Sequence, residues 1–399
     1  MLAITQFTVV LDFMVMSPLG DLLIKDLKIS PSQFGIVVSS YAISAGVSGF
    51  FTALIADKFD RKKLILFFYF GFIIGTALCG ISMNYTFLVF ARVITGIFGG
   101  VMSSISLAII ADVFTLNQRG RVMSFIQMGF GISQIAGIPI SLYIANQWDW
   151  KMPFFFIVAL AIIVFMFLFI FLRPINEHVH LERKPPIQHM KKTISNKNYQ
   201  IGFIATMFMS LGGYLMMPWG SAYSVNNIGI SQSDLPLLFM IVGIATFSIM
   251  PFAGILSDRF NKFHVFTISS CIMIVAVLLY SNLPQVSLTT LILVNILMMM
   301  GIMARMIPSQ ALAASIPEAS DRGAFMSINT SLQQLSGGIA ALIGGWIVTQ
   351  NDEMSPLENF DNLGFLVVFI ILINIYLTYR VYRYVTLKEE EEEEEEEEK

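Results

Sequence analysis

Short polar turns divide the chain into twelve apolar segments, each long enough to cross a lipid bilayer as a helix. An apolar helix of about 20 residues spans the hydrocarbon core. Hydrophobic residues make up 56% and charged residues 13% of the 399 residues, and the mean hydropathy is +0.73. Such a chain cannot cover its surface with polar groups in water. The sequence predicts an all-α integral membrane protein with twelve transmembrane helices near residues 3–24, 32–56, 64–83, 86–111, 121–146, 152–172, 200–225, 234–257, 264–283, 288–314, 323–349 and 363–386.

The positions of Lys and Arg predict how these helices are oriented. If the N-terminus is cytoplasmic, nineteen of the 24 Lys and Arg residues fall on the cytoplasmic side and three on the other, with Arg92 and Arg305 inside spans. Cytoplasmic loops carry such an excess, so we expect both termini in the cytoplasm and the protein in the plasma membrane, the inner membrane of a bacterium. The first segment lacks a small-residue cleavage site, and we expect no cleaved signal peptide.

One polar stretch between the sixth and seventh segments marks the middle of the chain. We predict a six-helix half over residues 1–172, a cytoplasmic linker over 173–199, a second six-helix half over 200–386 and an acidic tail over 387–399. The linker contains His178, His180 and His189, but no cysteine or set of acidic ligands accompanies them. We therefore expect a solvated basic linker and no metal site. The run of Glu at the end predicts a solvated, disordered tail or an added segment.

The two halves share an internal repeat. The segment TALIADKFDRKK aligns with FAGILSDRFNKF, which places Asp57 opposite Asp258 at an offset of 201 residues. Arg119 aligns with Arg322 at an offset of 203. Two matches at nearly one offset indicate two halves of similar structure. A repeat of this kind predicts a solute site near the midplane between the halves and transport by rocking one half against the other.

These loops resemble a signature of the major facilitator superfamily, G-x-x-x-D-R-x-G-R-K/R. Ala53 replaces the first Gly and Asp60 the second, and in the second half Gly254 is kept while Asn261 stands where Gly is usual. The resemblance implies a latch that closes the cytoplasmic side. The residues expected to form it are Asp57, Lys58, Arg61, Asp258, Arg259 and Lys262. The alternative is that these Lys and Arg residues only set the topology.

Two further segments resemble signatures of the same family. Arg92 and Gly96 in the fourth segment match the R-x-x-x-G signature of proton-coupled members. The fifth segment is similar to the antiporter signature that contains Gly-Pro, but Ile138 separates Gly137 from Pro139. This variant resembles the drug:proton antiporter and sugar-efflux permease branch.

Three ionisable residues lie inside predicted spans, and each is a functional hypothesis because charge is costly in a hydrocarbon core. Asp12 lies about nine residues into its segment, roughly 13 Å along a helix and near the midplane. A carboxyl group there changes its proton affinity when its access to water changes, so we predict a proton-coupling site at Asp12, with Arg92 tuning it. A permanently paired, structural acid is the alternative. Arg305 is expected to face the cavity and favour anionic solutes.

Polar and aromatic residues in otherwise apolar helices predict the rest of the solute cavity. These residues are Gln127, Gln134, Tyr214, Trp219, Asn329 and Gln333. Aromatic linings suit amphipathic or variable solutes.

We therefore expect a secondary transporter that exports drug-like or metabolite compounds and is driven by a proton gradient. Uptake of a nutrient or of a lipid-like solute is the alternative within the same fold, and a non-transporting membrane receptor is a weaker one. An enzyme is not expected, since the sequence lacks HExxH, GxSxG and P-loop motifs. The expected partners are a small solute and membrane lipid, without cofactor or nucleic acid, and the protein is expected to act as a monomer.

Overall fold

The structure is a computed structural model that describes residues 1–55, 58–114, 116–176, 186–318 and 321–397. Within these ranges ten helical spans are long and apolar enough to cross a membrane. An eleventh span is a pair of helices that meet at an angle of 55°. The helix Arg322–Ile347 supplies the twelfth; its 26 residues are sufficient in length but include more polar and small side chains. The predicted all-α architecture of twelve helices in two halves is confirmed.

In the described part of the first half, nine α-helices form six spans. They are α1 (Leu2–Val15), α2 (Gly20–Leu27), α3 (Pro31–Ile55), α4 (Arg61–Gly80), α5 (Tyr85–Gly99), α6 (Met102–Val113), α7 (Leu116–Ile132), α8 (Ile138–Gln147) and α9 (Met152–Phe171). Three spans are composite: α1 with α2, α5 with α6, and α7 with α8 through a π-helical turn, Ser133–Gly137.

The linker forms a short helix, and six more spans follow it. The linker helix is α10 (Pro186–Ser195), and the later helices are α11 (Lys197–Tyr214), α12 (Gly220–Asn226), α13 (Leu235–Arg259), α14 (Lys262–Ser281), α15 (Leu288–Ser315), α16 (Arg322–Ile347) and α17 (Phe360–Glu397). Because successive spans alternate in direction, both termini and α10 lie at one end of the bundle. We call this end the linker face and the opposite end the far face.

Two residues that depart from the glycines of the loop signature cap helices. The Asp60 carboxylate accepts a hydrogen bond from the backbone N–H of Lys63 at the start of α4. The Asn261 side chain likewise accepts from the N–H groups of Phe263 and His264 at the start of α14. Asp and Asn satisfy the free N–H groups of a first helical turn, which glycine cannot do with a side chain. In both halves, a polar residue in place of the signature's Gly therefore caps the helix that follows.

The acidic tail differs from its prediction. Helix α17 continues without a break to Glu397, where a disordered tail was expected. Glu has a high intrinsic helix propensity, and a helix already formed by packed residues extends more easily than one that must nucleate.

The two halves pack through two pairs of helices. A Cβ atom on Gly35 of α3 would lie 2.7 Å from the Ala341 carbonyl of α16, so the two backbones touch there. A Cβ on Gly243 of α13 would lie 2.7 Å from the Gln134 carbonyl in the π-helical turn. These small residues allow the close approach that membrane helices use in place of hydrophobic burial.

Candidate functional site

The two charges predicted for proton coupling form an ion pair in the first half. An Arg92 Nη1 atom of α5 lies 2.8 Å from Asp12 Oδ2 of α1, and both side chains are fully buried. Removing the charge of one partner leaves the other charge uncompensated in the membrane interior. The structure thus places in direct contact the two residues that the sequence analysis assigned to one proton-coupling site.

The pair is only partly satisfied. Asp12 Oδ1 and the Nε and Nη2 atoms of Arg92 form no hydrogen bond within the described residues, and the Thr76 side chain lies close to the carboxylate. The Arg92 guanidinium stands over the Tyr41 ring at 4.5 Å from its centroid, a favourable cation–π contact. Gly96 permits this arrangement, because a Cβ there would overlap the Tyr41 carbonyl and the Ser44 hydroxyl. The R-x-x-x-G signature therefore supplies two things: Arg92, which stands over Tyr41, and Gly96, whose missing side chain lets α5 pack closely against α3.

Aromatic rings connect this pair to the second half. The ring of Phe13, next to Asp12 in the chain, lies 5.2 Å from the ring of Tyr41 and 5.9 Å from that of Tyr214 in α11. A Cβ on Gly337 of α16 would lie 3.1 Å from the Tyr214 ring. Tyr214, a predicted cavity residue, is thus in the interface between halves, beside the buried pair.

The other predicted cavity residues are dispersed. Trp219 is fully buried and packs edge-on against Phe34 of the first half, with ring centroids 5.6 Å apart. Gln134 is half-buried at the contact with α13. Asn329 is buried with an unpartnered Oδ1, and the backbone of half-buried Gln333 accepts a hydrogen bond from Ser210. The Gln127 side chain lies outside the described residues.

Arg305 points into the interior of the second half. Its side chain is buried and donates to Asn374 Oδ1 at 3.3 Å and to the Met273 sulfur at 3.6 Å. Both partners, in α17 and α14, belong to the second half. In this conformation the guanidinium does not face the interface where the cavity was expected.

The residues of the predicted latch are mostly exposed. Asp57 lies outside the described residues. Lys58, Asp258, Arg259 and Lys262 are exposed and form no ion pair or hydrogen bond with their side chains in the described part of the chain. Arg61 is buried and pairs with Asp112 at the end of α6, with Nε 2.8 Å from Oδ2.

A cluster at the far face joins the halves, and sequence reasoning missed it. The Ser17 hydroxyl donates to the Met217 carbonyl, and the Ser221 hydroxyl donates to the Ser17 carbonyl at 2.8 Å. The Asn226 amide donates to Asp21 Oδ1 at 2.8 Å, and the other carboxylate oxygen of Asp21 accepts from Lys25. A further link joins Asn146 to Gln232. Every hydrogen bond between described residues of the two halves lies at this face.

A repeated motif could have revealed this cluster. The stretch MSPLGD, residues 16–21, aligns with MMPWGS, residues 216–221, at an offset of 200. Each copy contains Met-x-Pro-x-Gly and interrupts its span, between α1 and α2 and between α11 and α12. Proline lacks a backbone N–H and disrupts a helix, so the two copies interrupt equivalent spans at equivalent positions, and the first span bends there by 55°.

Comparison with known proteins gives consistent matches. The family model described as Major Facilitator Superfamily matches residues 2–199 and 202–399. An uncharacterized MFS-type transporter, YbcL of Bacillus subtilis (strain 168), is 24% identical over 371 residues, covering 92% of this chain and 93% of the relative. Multidrug resistance protein 3 of the same organism is 31% identical over 126 residues, which cover 32% of this chain and 25% of that protein.

Solved structures share the fold. The crystal structure of a D-xylose-proton symporter superposes with a TM-score of 0.78 at 17% identity, covering 94% of this chain and 95% of that one. A bacterial homolog to the human lysosomal transporter Spinster gives a TM-score of 0.72 at 15% identity, covering 96% of both chains.

Proposed function

This chain belongs to the Major Facilitator Superfamily and is therefore a multi-pass secondary transporter, and we propose that it exports small drug-like or metabolite solutes in exchange for protons. The observation that carries the coupling proposal is the buried Asp12–Arg92 pair. It is the only ion pair between described residues in which both side chains are fully buried.

The pair offers a way to exchange proton for solute. While Asp12 is ionised, it compensates the charge of Arg92 at 2.8 Å. Protonation of Asp12 removes that attraction and leaves the guanidinium over the face of Tyr41, with the Asp12 backbone carbonyl 3.5 Å from Nη1. Phe13 and Tyr214 carry the resulting shift toward the second half, because Phe13 touches Tyr41 and Tyr214 at once. Proton binding and the packing of the halves therefore depend on the same few side chains.

The proposed direction of transport and solute class rest on separate observations. Similarity to Multidrug resistance protein 3 over about a third of the chain favours drug-like solutes. Aromatic side chains at the interface, Phe13, Tyr214 and Trp219, suit amphipathic compounds. Uptake is the second candidate, favoured by the fold match to a D-xylose-proton symporter, and a lipid-like solute remains an outcome of the same assay. A non-transporting receptor would leave the buried pair without a role.

We place the linker face in the cytoplasm of a bacterial inner membrane, since that face carries nearly all Lys and Arg outside the spans. The hydrogen-bonded far face then closes the outer side of the transporter in this conformation. Lys58, Asp258, Arg259 and Lys262 have no side-chain partner among the described residues, as is expected of a latch on the cytoplasmic side while the outer side is closed. Asp57 and Arg61 complete the proposed latch, and one chain in contact with lipid suffices for the cycle.

The test is a flux assay in proteoliposomes with and without an imposed pH gradient, run against sugars, lipids and dyes. Asp12→Asn keeps the shape of the side chain and removes titration. We expect it to abolish pH-driven accumulation while passive exchange is retained. The matched control is Asp26→Asn in the same bent span, whose carboxylate is exposed and accepts a hydrogen bond from Trp150. It should transport at the wild-type rate.

Two results separate the parts of the proposal. If the Asp12→Asn variant concentrates solute at the wild-type rate, the pair is structural and the coupling site lies elsewhere. If no tested compound moves in the wild type under either gradient direction, the proposed solute class is wrong while the family assignment stands.

A further inference from the structure

The second half contains a buried positive charge without a negative partner. Arg305 is 2% exposed, and no carboxylate of the described residues lies within 4.0 Å of its guanidinium. Its contacts are the Asn374 oxygen, the Met273 sulfur and the face of Phe266, whose centroid is 5.3 Å from the guanidinium carbon. Its Nε has no hydrogen-bond partner among the described residues. Arginine stays protonated at any physiological pH, so the site keeps its charge.

Arg92 shows how the same charge is compensated elsewhere in this chain. Both arginines are buried in equivalent spans of the two halves and both stand over an aromatic ring. Arg92 has the carboxylate of Asp12 at 2.8 Å, whereas Arg305 has only neutral acceptors. A buried charge is normally paired, and a ring and a thioether compensate it only in part. The environment of Arg305 is therefore short of one negative charge.

A small crevice lies one helical turn from Arg305 toward the linker face. It has a volume of about 10 Å³, close to the size of one water molecule, and lies between α11, α15 and α17. Three of the residues that line it carry hydroxyl groups, Thr206, Ser309 and Thr378. Ser309 follows Arg305 by four residues, so both side chains lie on one face of α15.

Two of the three hydroxyl groups at the crevice have no hydrogen-bond partner among the described residues. The hydroxyls of Thr206 and Ser309 form no hydrogen bond with any described residue, and the Thr378 hydroxyl lies 3.5 Å from Asn374 Oδ1. Arg305 Nη2 and the Thr378 hydroxyl share Asn374 Oδ1 as their acceptor, which brings the guanidinium to the edge of the crevice, and within the described residues Arg305 Nε has no acceptor. Hydroxyl donors and an adjacent guanidinium are the chemistry that binds an anion.

We propose that the Arg305 crevice is a binding site for one small monovalent inorganic anion, with chloride as the probe. The volume excludes an organic solute in this conformation, and the crevice lies beside the half of α15 that is nearer the linker face. The anion would compensate Arg305 as Asp12 compensates Arg92, and it would hold α11, α15 and α17 together. The proposal concerns the interior of the second half and does not depend on which solute is transported or on proton coupling.

The test is thermal unfolding of the purified full-length protein in chloride against gluconate at constant ionic strength. A ligand that binds only the folded state raises the unfolding midpoint with saturation. We expect a saturable rise with chloride in the wild type, its loss in Arg305→Gln, and at least a tenfold weaker apparent affinity in Ser309→Ala. Arg322→Gln removes an exposed arginine at the start of α16 and should respond as the wild type does.

Two outcomes would overturn the proposal. One is a wild-type midpoint that does not depend on chloride, which would assign the crevice to water. The other is an equal chloride response in Arg305→Gln, which would assign the effect to another site. If Arg305→Gln does not fold, Ser309→Ala and Thr206→Val decide the question, and unchanged affinity in both contradicts the site.

Discussion

The hydrogen bond between Asn226 and Asp21 should help to set the balance between the conformations of the transporter. The Asn226 amide donates to Asp21 Oδ1 at 2.8 Å, and the Asp21 side chain is only 2% exposed. Asn226→Ala removes the donor and leaves a buried carboxylate oxygen unpaired. Hydrogen bonds to charged groups contribute about 1.5–3 kcal/mol to stability. When the far face opens, water replaces the amide, so the loss falls on the closed conformation alone.

The expected shift follows from that difference. Because about 1.4 kcal/mol corresponds to a factor of ten, the population ratio of the closed to the open conformation should fall roughly tenfold to a hundredfold. Spin labels at Met83 and Met354 report the change, because both side chains are exposed at the far face, at 86% and 73%, in opposite halves. The background should first replace the free cysteines, Cys79 and Cys271. Pulsed electron–electron double resonance should then show a larger population at long distances between the two labels in Asn226→Ala than in the unsubstituted background.

A control removes a comparable bond at the same face within one half. Asp26→Ala deletes the acceptor of the Trp150 Nε1–H, whose distance is 2.6 Å, and both residues belong to the first half. We expect the control to leave the distance distribution unchanged. An unchanged distribution in Asn226→Ala, or an equal change in Asp26→Ala, would refute the assignment of this bond to closure of the far face.

Three other predictions follow from the structure. Gly96→Ala should lower the free energy of unfolding by about 1–3 kcal/mol in a denaturant titration, because its Cβ would overlap the α3 backbone. Gly254→Ala is the control and should not lower it, because the space around Gly254 is open. Equal effects of the two changes would contradict the packing argument. A cysteine at exposed Ser195 should react with impermeant reagents only when the cytoplasmic side is accessible, and labelling of intact cells would reverse the orientation. Asp57→Asn should increase the labelling of cavity cysteines from the cytoplasm and slow transport at normal expression; unchanged labelling and flux would leave that loop a topological role only.

The positions of the helices could be read from the sequence because apolar segments in a membrane have no alternative to helical backbone pairing. The segment predicted at 152–172 is the helix Met152–Phe171, which is apolar on every side. The first segment was predicted as one helix over 3–24, yet it bends by 55° beyond Val15. Pro18 carried that information, but a hydropathy argument counts apolar residues and does not weigh a missing N–H group.

The site was less predictable because contacts between spans depend on how each helix is rotated. Asp12 and Arg92 were identified by their cost in a membrane, but nothing in the spacing of two distant spans says that their side chains meet. Arg305 was misplaced for the same reason: the sequence shows that it lies deep within a span, but not that its side chain points into the second half and away from the interface. Asp21 was overlooked because it lies near a helix end, where an acid is usually hydrated, although here it is 1% exposed.

The contact of the two Met-x-Pro-x-Gly copies has a consequence for any version of this fold built from two identical chains. Two identical copies would place an aspartate at this position on each side of the two-fold axis, because the same residues line both sides of such an interface. In the single chain the backbone N–H of Asp21 instead meets the hydroxyl of Ser221 at 3.4 Å, the residue at the matching place in the other copy. Because the two halves belong to one polypeptide, equivalent positions in them can hold different residues. The buried carboxylate of Asp21 therefore faces neutral side chains of the second half instead of a second carboxylate.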